Sequence, residues 1–408
     1  MYKFKEDNMK VPCYVWSEKG TIEEEAIQQI KNASTLPFAF HHTVLCPDAH
    51  VGYGAPIGGV LATKGVVIPN FVGVDIGCGM CAVKTSLTDI DTETLKKIMG
   101  EIRKAVPVGF NKHKEMQEME LMPNIMGLEQ WSDELKQKHS VVYSQFGNAR
   151  KSLGTLGGGN HFIEIQKGSD GHIWIMIHSG SRNLGLQVAK HYNDLAKKLN
   201  EKWHTSVPKE YDLAFLPIDS EEGKDYLREM QYCVDYALAN RKLMMERISD
   251  IFNDFYEGGM FGMLESVIDF DPIINIAHNY ANMENHFGKN VMVHRKGATL
   301  ASVGTTGIIP GSQGTKSYIV SGLGNRDSFN SCSHGAGRCL GRKMAQKTLN
   351  LKEEQKKLDD LGVVHGVRHK DDLDEAPGAY KDIQTVMDNQ KDLVKIEVEL
   401  TPLGVIKA

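Results

Sequence analysis

Three glycines, Gly73, Gly77 and Gly79, crowd the segment Gly73-Val74-Asp75-Ile76-Gly77-Cys78-Gly79-Met80. They let the backbone turn sharply and come close to a ligand. The same segment sets a carboxylate and a thiol three residues apart. Asp brings a hard oxygen and Cys a soft sulfur, donors that transition-metal sites combine with imidazoles. A plainer reading fits as well: Asp75 caps a turn and Cys78 is a small buried hydrophobe.

Downstream histidines lie in similar settings. His161 closes the run Leu153-Gly154-Thr155-Leu156-Gly157-Gly158-Gly159-Asn160 and precedes an apolar stretch, Phe162 to Ile165. His178 ends a second apolar stretch, Ile173 to Ile177, and opens into Ser179-Gly180-Ser181-Arg182. A His at the end of a buried strand, beside a Gly/Ser loop with an Arg, sits where functional loops usually lie. His278 is expected on a helix or tight turn, as a ligand or a packing residue. His334 lies in Ser331-Cys332-Ser333-His334-Gly335-Ala336-Gly337-Arg338, where an imidazole could attack phosphorus. The loop Pro310-Gly311-Ser312-Gln313-Gly314-Thr315-Lys316-Ser317 lacks Walker spacing but offers amides, hydroxyls and a lysine for phosphate oxygens. Asp48 and His50 read as a turn, and His286 and His294 as surface or packing residues.

Composition narrows the class. With 408 residues, 41% hydrophobic and 24% charged, the chain suits one large globular domain or roughly two to three ordinary ones. No apolar run approaches the ~20 residues of a membrane span, and the N-terminus lacks the apolar core of a signal peptide. Seven scattered cysteines read as reduced thiols. Together these make the cytoplasm the expected location, with no membrane partner. Cys78 and Cys81 form a lone CxxC, with no second pair to complete a structural zinc site. The net charge of −5 argues against coating nucleic acid by bulk charge and leaves a local basic cleft open.

Along the chain, Thr21-Ile22-Glu23-Glu24 reads as a capping box opening a helix through Ala26, Ile27 and Ile30. Gly59 to Leu61 and Val66 to Ile68 read as strands. Asp91 is expected to cap a helix with Leu95, Ile98, Ile102 and Val106 on one face. Residues 111–152 read as a polar, variable surface segment with one helix near Leu128 to Lys138. Further helices are expected over Leu186 to Leu199 and from Glu222 to about Tyr256, the latter ended by Gly258-Gly259. Beyond Gly341 the chain reads as helical and basic. Strict βαβ alternation is missing, so the expected fold is a single mixed α+β domain over residues 1–408, not a doubly wound sheet. Five metal-type donors and two phosphate-type loops, all beside Gly, Asn or Ser, point to a metalloenzyme acting on phosphate. Such donors suit manganese, zinc or iron better than magnesium.

Five motifs carry a family resemblance: Gly73 to Met80, Leu156 to Glu164, His178 to Arg182, Arg295-Lys296-Gly297-Ala298 and Ser333 to Arg338. In this order they resemble the RtcB-type RNA-splicing ligases, from about Pro47 to the C-terminus. The resemblance implies an RNA ligase dependent on GTP and Mn²⁺. It would join a 3′-phosphate or 2′,3′-cyclic phosphate end to a 5′-hydroxyl end, in tRNA splicing or RNA repair. Cys78 would bridge two Mn²⁺, with Asp75 and His161 on one and His178 and His278 on the other. His334 would be the nucleophile that carries GMP before an RNA-3′-pp-G intermediate forms. The nucleotide would meet Asn160, His161, Phe162, Ile163 and Glu164, then His278 and Asn279, then Pro310, Gly311, Ser312, Gln313 and Ser317. His334, Gly335, Ala336, Gly337 and Lys407 complete the implied GTP site. Arg182, Lys296 and Arg338 are implied phosphate or RNA contacts.

Two departures stand out: Gln313 where the family often has Met, and Ala49 where it often has Val. Kept beside this reading is a capping or phosphoesterase variant of the same site, acting on damaged rRNA or on DNA 3′-phosphate ends. A non-catalytic RNA-binding protein fits poorly, for want of an aromatic-rich basic strand. The sequence names no activator protein.

Overall fold

The computed structural model describes residues 1–123, 140–257 and 268–408. Two large sheets carry the fold. One has six strands in the order Tyr2–Phe4, Cys13–Val15, Ala39–His50, Ile57–Thr63, Lys289–Lys296 and Asn279–His286. The other has seven, in the order Ile274–Ala277, Gly79–Lys84, Ile173–Ser179, Phe162–Gly168, Val394–Ile406, Ser317–Gly322 and Thr306–Ile309. Within them every pairing is antiparallel except Cys13–Val15 with Ala39–His50. The fold is thus mixed α+β and not doubly wound.

Strand alternation sorts the seven-stranded sheet into two faces. Ile173, Ile175 and Ile177 join one apolar cluster, packed by the helices Thr92–Ala105 and Glu221–Glu257. Trp174 and Met176 face the other way, in a smaller cluster with Met80 and Ile319. His178 continues the Trp174/Met176 parity. Valines from both sheets, Val60 and Val293 with Val320 and Val394, share one core.

The helices follow their apolar stripes. Asp91 caps Thr92–Ala105, its carboxylate accepting from the Glu93 and Thr94 amides. The helices read at Leu186 and Glu222 form as Leu184–Lys202 and Glu221–Glu257. The N-terminal capping box does not form. Its helix is Glu24–Ser34 with no side-chain cap: the N-cap is Glu23, whose carboxylate accepts from the Val51 amide, and Thr21 lies outside the helix with its hydroxyl on the Glu18 carbonyl. The end of the expected surface segment also differs. Val141–Ser152 is a helix that sets Val142 and Ala149 into the core and leaves Tyr143 exposed, with buried Glu229 accepting the Val141 and Val142 amides. The helix expected near Leu128 and the Gly258-Gly259 stop lie outside the described residues. Among the described residues, no helix is long and apolar enough to cross a membrane.

Candidate active site

Three neighbouring strand ends build the centre of the site. Gly79 pairs with Ala277 on one side and Ser179 on the other, so Cys78, His278 and His178 meet where the ladders stop. His278 is neither helical nor in a tight turn. It is the single residue between Ile274–Ala277 and Asn279–His286, where the chain passes from one sheet to the other. The backbone bends there, and the His278 amide donates to the Cys78 carbonyl at 2.9 Å, which prolongs the ladder by one bond. Gly79 is required by this close approach, since a Cβ there would collide with the Ile276 carbonyl.

The donors fall into two overlapping sets that share Cys78: Cys78, His178 and His278, and Asp75, Cys78 and His161. Within each set the ligand atoms lie within 4.8 Å of one another. Cys78 Sγ is 3.4 Å from His161 Nε2 and 3.3 Å from His178 Nε2, and Asp75 Oδ2 is 3.4 Å from His161 Nε2. The Nδ1 atoms point the other way. His161 Nδ1 meets the Leu156 carbonyl at 3.0 Å and His178 Nδ1 the Asn160 carbonyl at 3.1 Å. Since a carbonyl only accepts, both Nδ1 atoms carry the proton and both Nε2 lone pairs face Cys78.

This donor set fits divalent cations. His278 Nδ1 is buried with no hydrogen-bond partner, which is costly unless a ligand takes it. Burial pushes the His178 and His278 pKa values well down, so both imidazoles are neutral, the form that ligates. Burial and the Asp75 charge push the Cys78 thiol up. A bound cation is what would hold it as thiolate.

His334 sits against this set, its ring centroid 4.8 Å from that of His278. Its partner is Asp48, fully buried at the irregular end of Ala39–His50 rather than in a turn. Asp48 Oδ2 lies 2.6 Å from His334 Nδ1 and accepts the His334 amide at 3.0 Å. A carboxylate only accepts, so Nδ1 is protonated and Nε2 carries the lone pair. Gly337 lets the two segments meet, as its φ is +73° and a Cβ would collide with the Asp48 carbonyl.

Around these groups opens a cleft of about 900 Å³, lined by residues that include Asn160, Asn279, Lys296, Pro310, Gly311 and Arg338. Asn279 braces the floor, donating to the Asp75 carbonyl and accepting the Gly297 amide. Lys296 donates to the Tyr53 and Asn70 carbonyls, and burial pushes its pKa down to about 7. Gly335, Ala336 and Gly337 line the cleft beside His334. A smaller cavity adjoins it, lined by Phe162, Glu164, Ser312, Gln313, Glu375 and Lys407 among others. Burial pushes the Glu164 carboxyl up to about 8, against the opposing charge of Lys407. Ile163 points away, into the core beside Ile165. Ser317 braces the loop instead of lining it, its hydroxyl taking the Gly311 amide. Gln313 donates to the Glu375 carbonyl. Arg182 does not line the cleft: its guanidinium donates to the Gly109 carbonyl and the Thr155 hydroxyl. Arg338 is tied to Glu375 and the Leu340 carbonyl.

A family model described as "tRNA-splicing ligase RtcB" matches residues 29–408. The chain belongs to the RtcB family. It is thereby a ligase, an enzyme that forms phosphodiester bonds. The chain is 38% identical over 406 residues to the RNA-splicing ligase RtcB of Escherichia coli strain K12, covering 97% of each chain. It is 34% identical to the tRNA-splicing ligase RtcB of Methanococcus maripaludis, covering 98% of this chain and 96% of that one. For the RtcB of Thermococcus kodakarensis the identity is 30%, with 98% and 95% covered.

Two residues of this RtcB site escaped the sequence reading. Asp48 looks like any turn Asp, and its partner lies 286 positions away. Arg241 is buried in the helix Glu221–Glu257 and donates to the Gly77, Ser179 and Ile276 carbonyls, pinning three segments beneath the donors. A charged residue at a core position of an amphipathic helix was its one signal.

Proposed function

We propose that this chain is an RNA ligase that joins a 3′-phosphate or 2′,3′-cyclic phosphate end to a 5′-hydroxyl end in tRNA splicing or RNA repair. GTP is its co-substrate, and Asp75, Cys78, His161, His178 and His278 would hold two Mn²⁺. The observation that carries this reading is His334, set against the donor cluster with its Nε2 lone pair freed by Asp48.

Nε2 of His334 attacks the α-phosphorus of GTP, a P–N bond forms, and the P–O bond to pyrophosphate breaks. Asp48 holds the Nδ1 proton and offsets the positive charge that grows on the ring. A 2′,3′-cyclic phosphate is first opened by water, which breaks the P–O2′ bond and leaves a 2′-hydroxyl and a 3′-phosphate. An RNA 3′-phosphate oxygen next takes the guanylyl group and frees the imidazole. The 5′-hydroxyl then attacks that 3′-phosphorus, losing its proton as GMP leaves. When bound, Mn²⁺ supplies neutralisation of phosphate charge and a lower pKa for a nearby hydroxyl. Glu164 and Lys407 suit the guanine edge: Glu164, held protonated by burial, would ionise as guanine enters and accept from its two N–H groups, while an ammonium donates to its carbonyl. Gly335, Ala336 and Gly337 leave room for phosphates beside His334.

Incubating the protein with GTP, Mn²⁺ and a broken RNA bearing 2′,3′-cyclic phosphate and 5′-hydroxyl ends tests the reading. Joining is expected, and Cys78→Ala should abolish it. Opening of the cyclic phosphate without joining would favour the phosphoesterase alternative. Joining that survives Cys78→Ala would refute the shared-thiolate site.

A further inference from the structure

Phe110 is the most exposed large apolar side chain among the described residues, at 103% of its reference area. A lone exposed aromatic needs no explanation by itself. The mounting of this one does call for one. Gly109, at φ +65°, and Phe110 form the tip of a turn closed by the Asn111 amide on the Val108 carbonyl at 3.2 Å. That turn is bolted to the glycine loop that carries Asn160 and His161. The Gly109 amide donates to the Gly157 carbonyl at 2.8 Å, and Val108 bridges Gly157. Arg182, itself at φ +50°, clamps both, donating to the Gly109 carbonyl and the Thr155 hydroxyl at 2.9 Å each.

The position is next to the cleft. A Cβ on Gly158 would lie 3.7 Å from the Gly109 Cα, and one on Gly159 would lie 2.6 Å from the Arg342 guanidinium. Arg342 and its neighbour Lys343 line the cleft. Lys112 and Lys114, which follow Phe110 in the chain, are exposed. A fully wetted ring therefore rides on a pinned backbone turn beside a cationic cleft rim. Backbone-tracking cations with an interposed aromatic ring are the means by which proteins hold single strands. A rigid mount keeps the ordering cost of stacking low.

We propose that Phe110 is a stacking platform for a nucleobase of the single-stranded RNA near its reacting end, and that Arg182 positions it. This rests on the RNA-ligase reading above and adds how the strand is gripped.

The test is binding of a fluorescent single-stranded RNA bearing a 3′-phosphate to wild type, Phe110→Ala and Phe110→Trp. Matched RNAs carry an abasic site at each of the last few positions. Phe110→Ala should weaken binding by roughly five- to a hundredfold, the span of a single base–aromatic stack. Phe110→Trp should restore it. At one abasic position, wild type should fall to the affinity of Phe110→Ala, with no further loss in the variant. Wild-type affinity in Phe110→Ala would overturn the proposal and point to a protein partner for the ring. A loss that Trp does not restore, or that is equal on every abasic RNA, would also overturn it. If wild type joins RNA ends yet fails these comparisons, the platform alone is refuted. If wild type binds no RNA, the ligase reading falls with it.

Discussion

Asp48→Asn isolates what the charge behind His334 does. One oxygen, Oδ2, takes both His334 donors, Nδ1 at 2.6 Å and the amide at 3.0 Å. Asn can serve both only by turning its own carbonyl oxygen to that place. Its NH₂ then occupies the position of Oδ1, which is buried and has no partner. The Nδ1–H tautomer and the free Nε2 therefore survive, and the loss is the charge. A charge-assisted bond exceeds a neutral one by about 1–1.5 kcal/mol, which predicts roughly tenfold slower guanylylation. The stranded NH₂ adds about 1–3 kcal/mol of destabilisation. Asp48→Ala removes the acceptor from two donors and frees the tautomer, so a loss of about a hundredfold or more is expected. The assay is single-turnover transfer of label from α-labelled GTP to the protein, with thermal unfolding in parallel. If Asn were slower than Ala, Asn would be flipping the tautomer, and the one-oxygen argument would be wrong. A rate for Ala within about threefold of wild type would remove Asp48 from the mechanism.

Two further perturbations probe the frame and the smaller cavity. Gly79→Ala should destabilise the protein by about 1–3 kcal/mol and weaken metal binding, because the added methyl meets the Ile276 carbonyl. Calorimetric unfolding and a Mn²⁺ titration check this, and unchanged values in both would contradict the close strand approach. Glu164 has a folded pKa of about 8, above its unfolded value. Its favourable contribution is therefore complete below the unfolded pKa and is lost as pH rises through about 8. Without GTP, Glu164→Gln should gain thermal stability relative to wild type between about pH 6 and 9, and a flat difference would refute the assignment.

The donor residues were legible because chemistry and punctuation coincided. Asp75, Cys78, His161, His178 and His334 each sit beside glycines that a packed core would not require. The helix at Asp91 was legible because its cap and its stripe are local. What failed was tertiary in origin. Thr21 and Glu24 match a capping box, but the helix begins only at Glu24 and the Thr21 hydroxyl is drawn to the Glu18 carbonyl. His278 carries no local sign that two sheets meet there. Asp48 and Arg241 gain their meaning only from partners far away in sequence. The resemblance implies a phosphate or RNA contact for Arg182, whereas its guanidinium clamps the Gly109 turn, which no local pattern announces.

The central claim is that His334 carries the guanylate. Mixing the protein with Mn²⁺ and α-labelled GTP should give a labelled, acid-labile protein adduct that His334→Ala eliminates. Label that persists in His334→Ala, or wild type that never takes up label, would contradict the account.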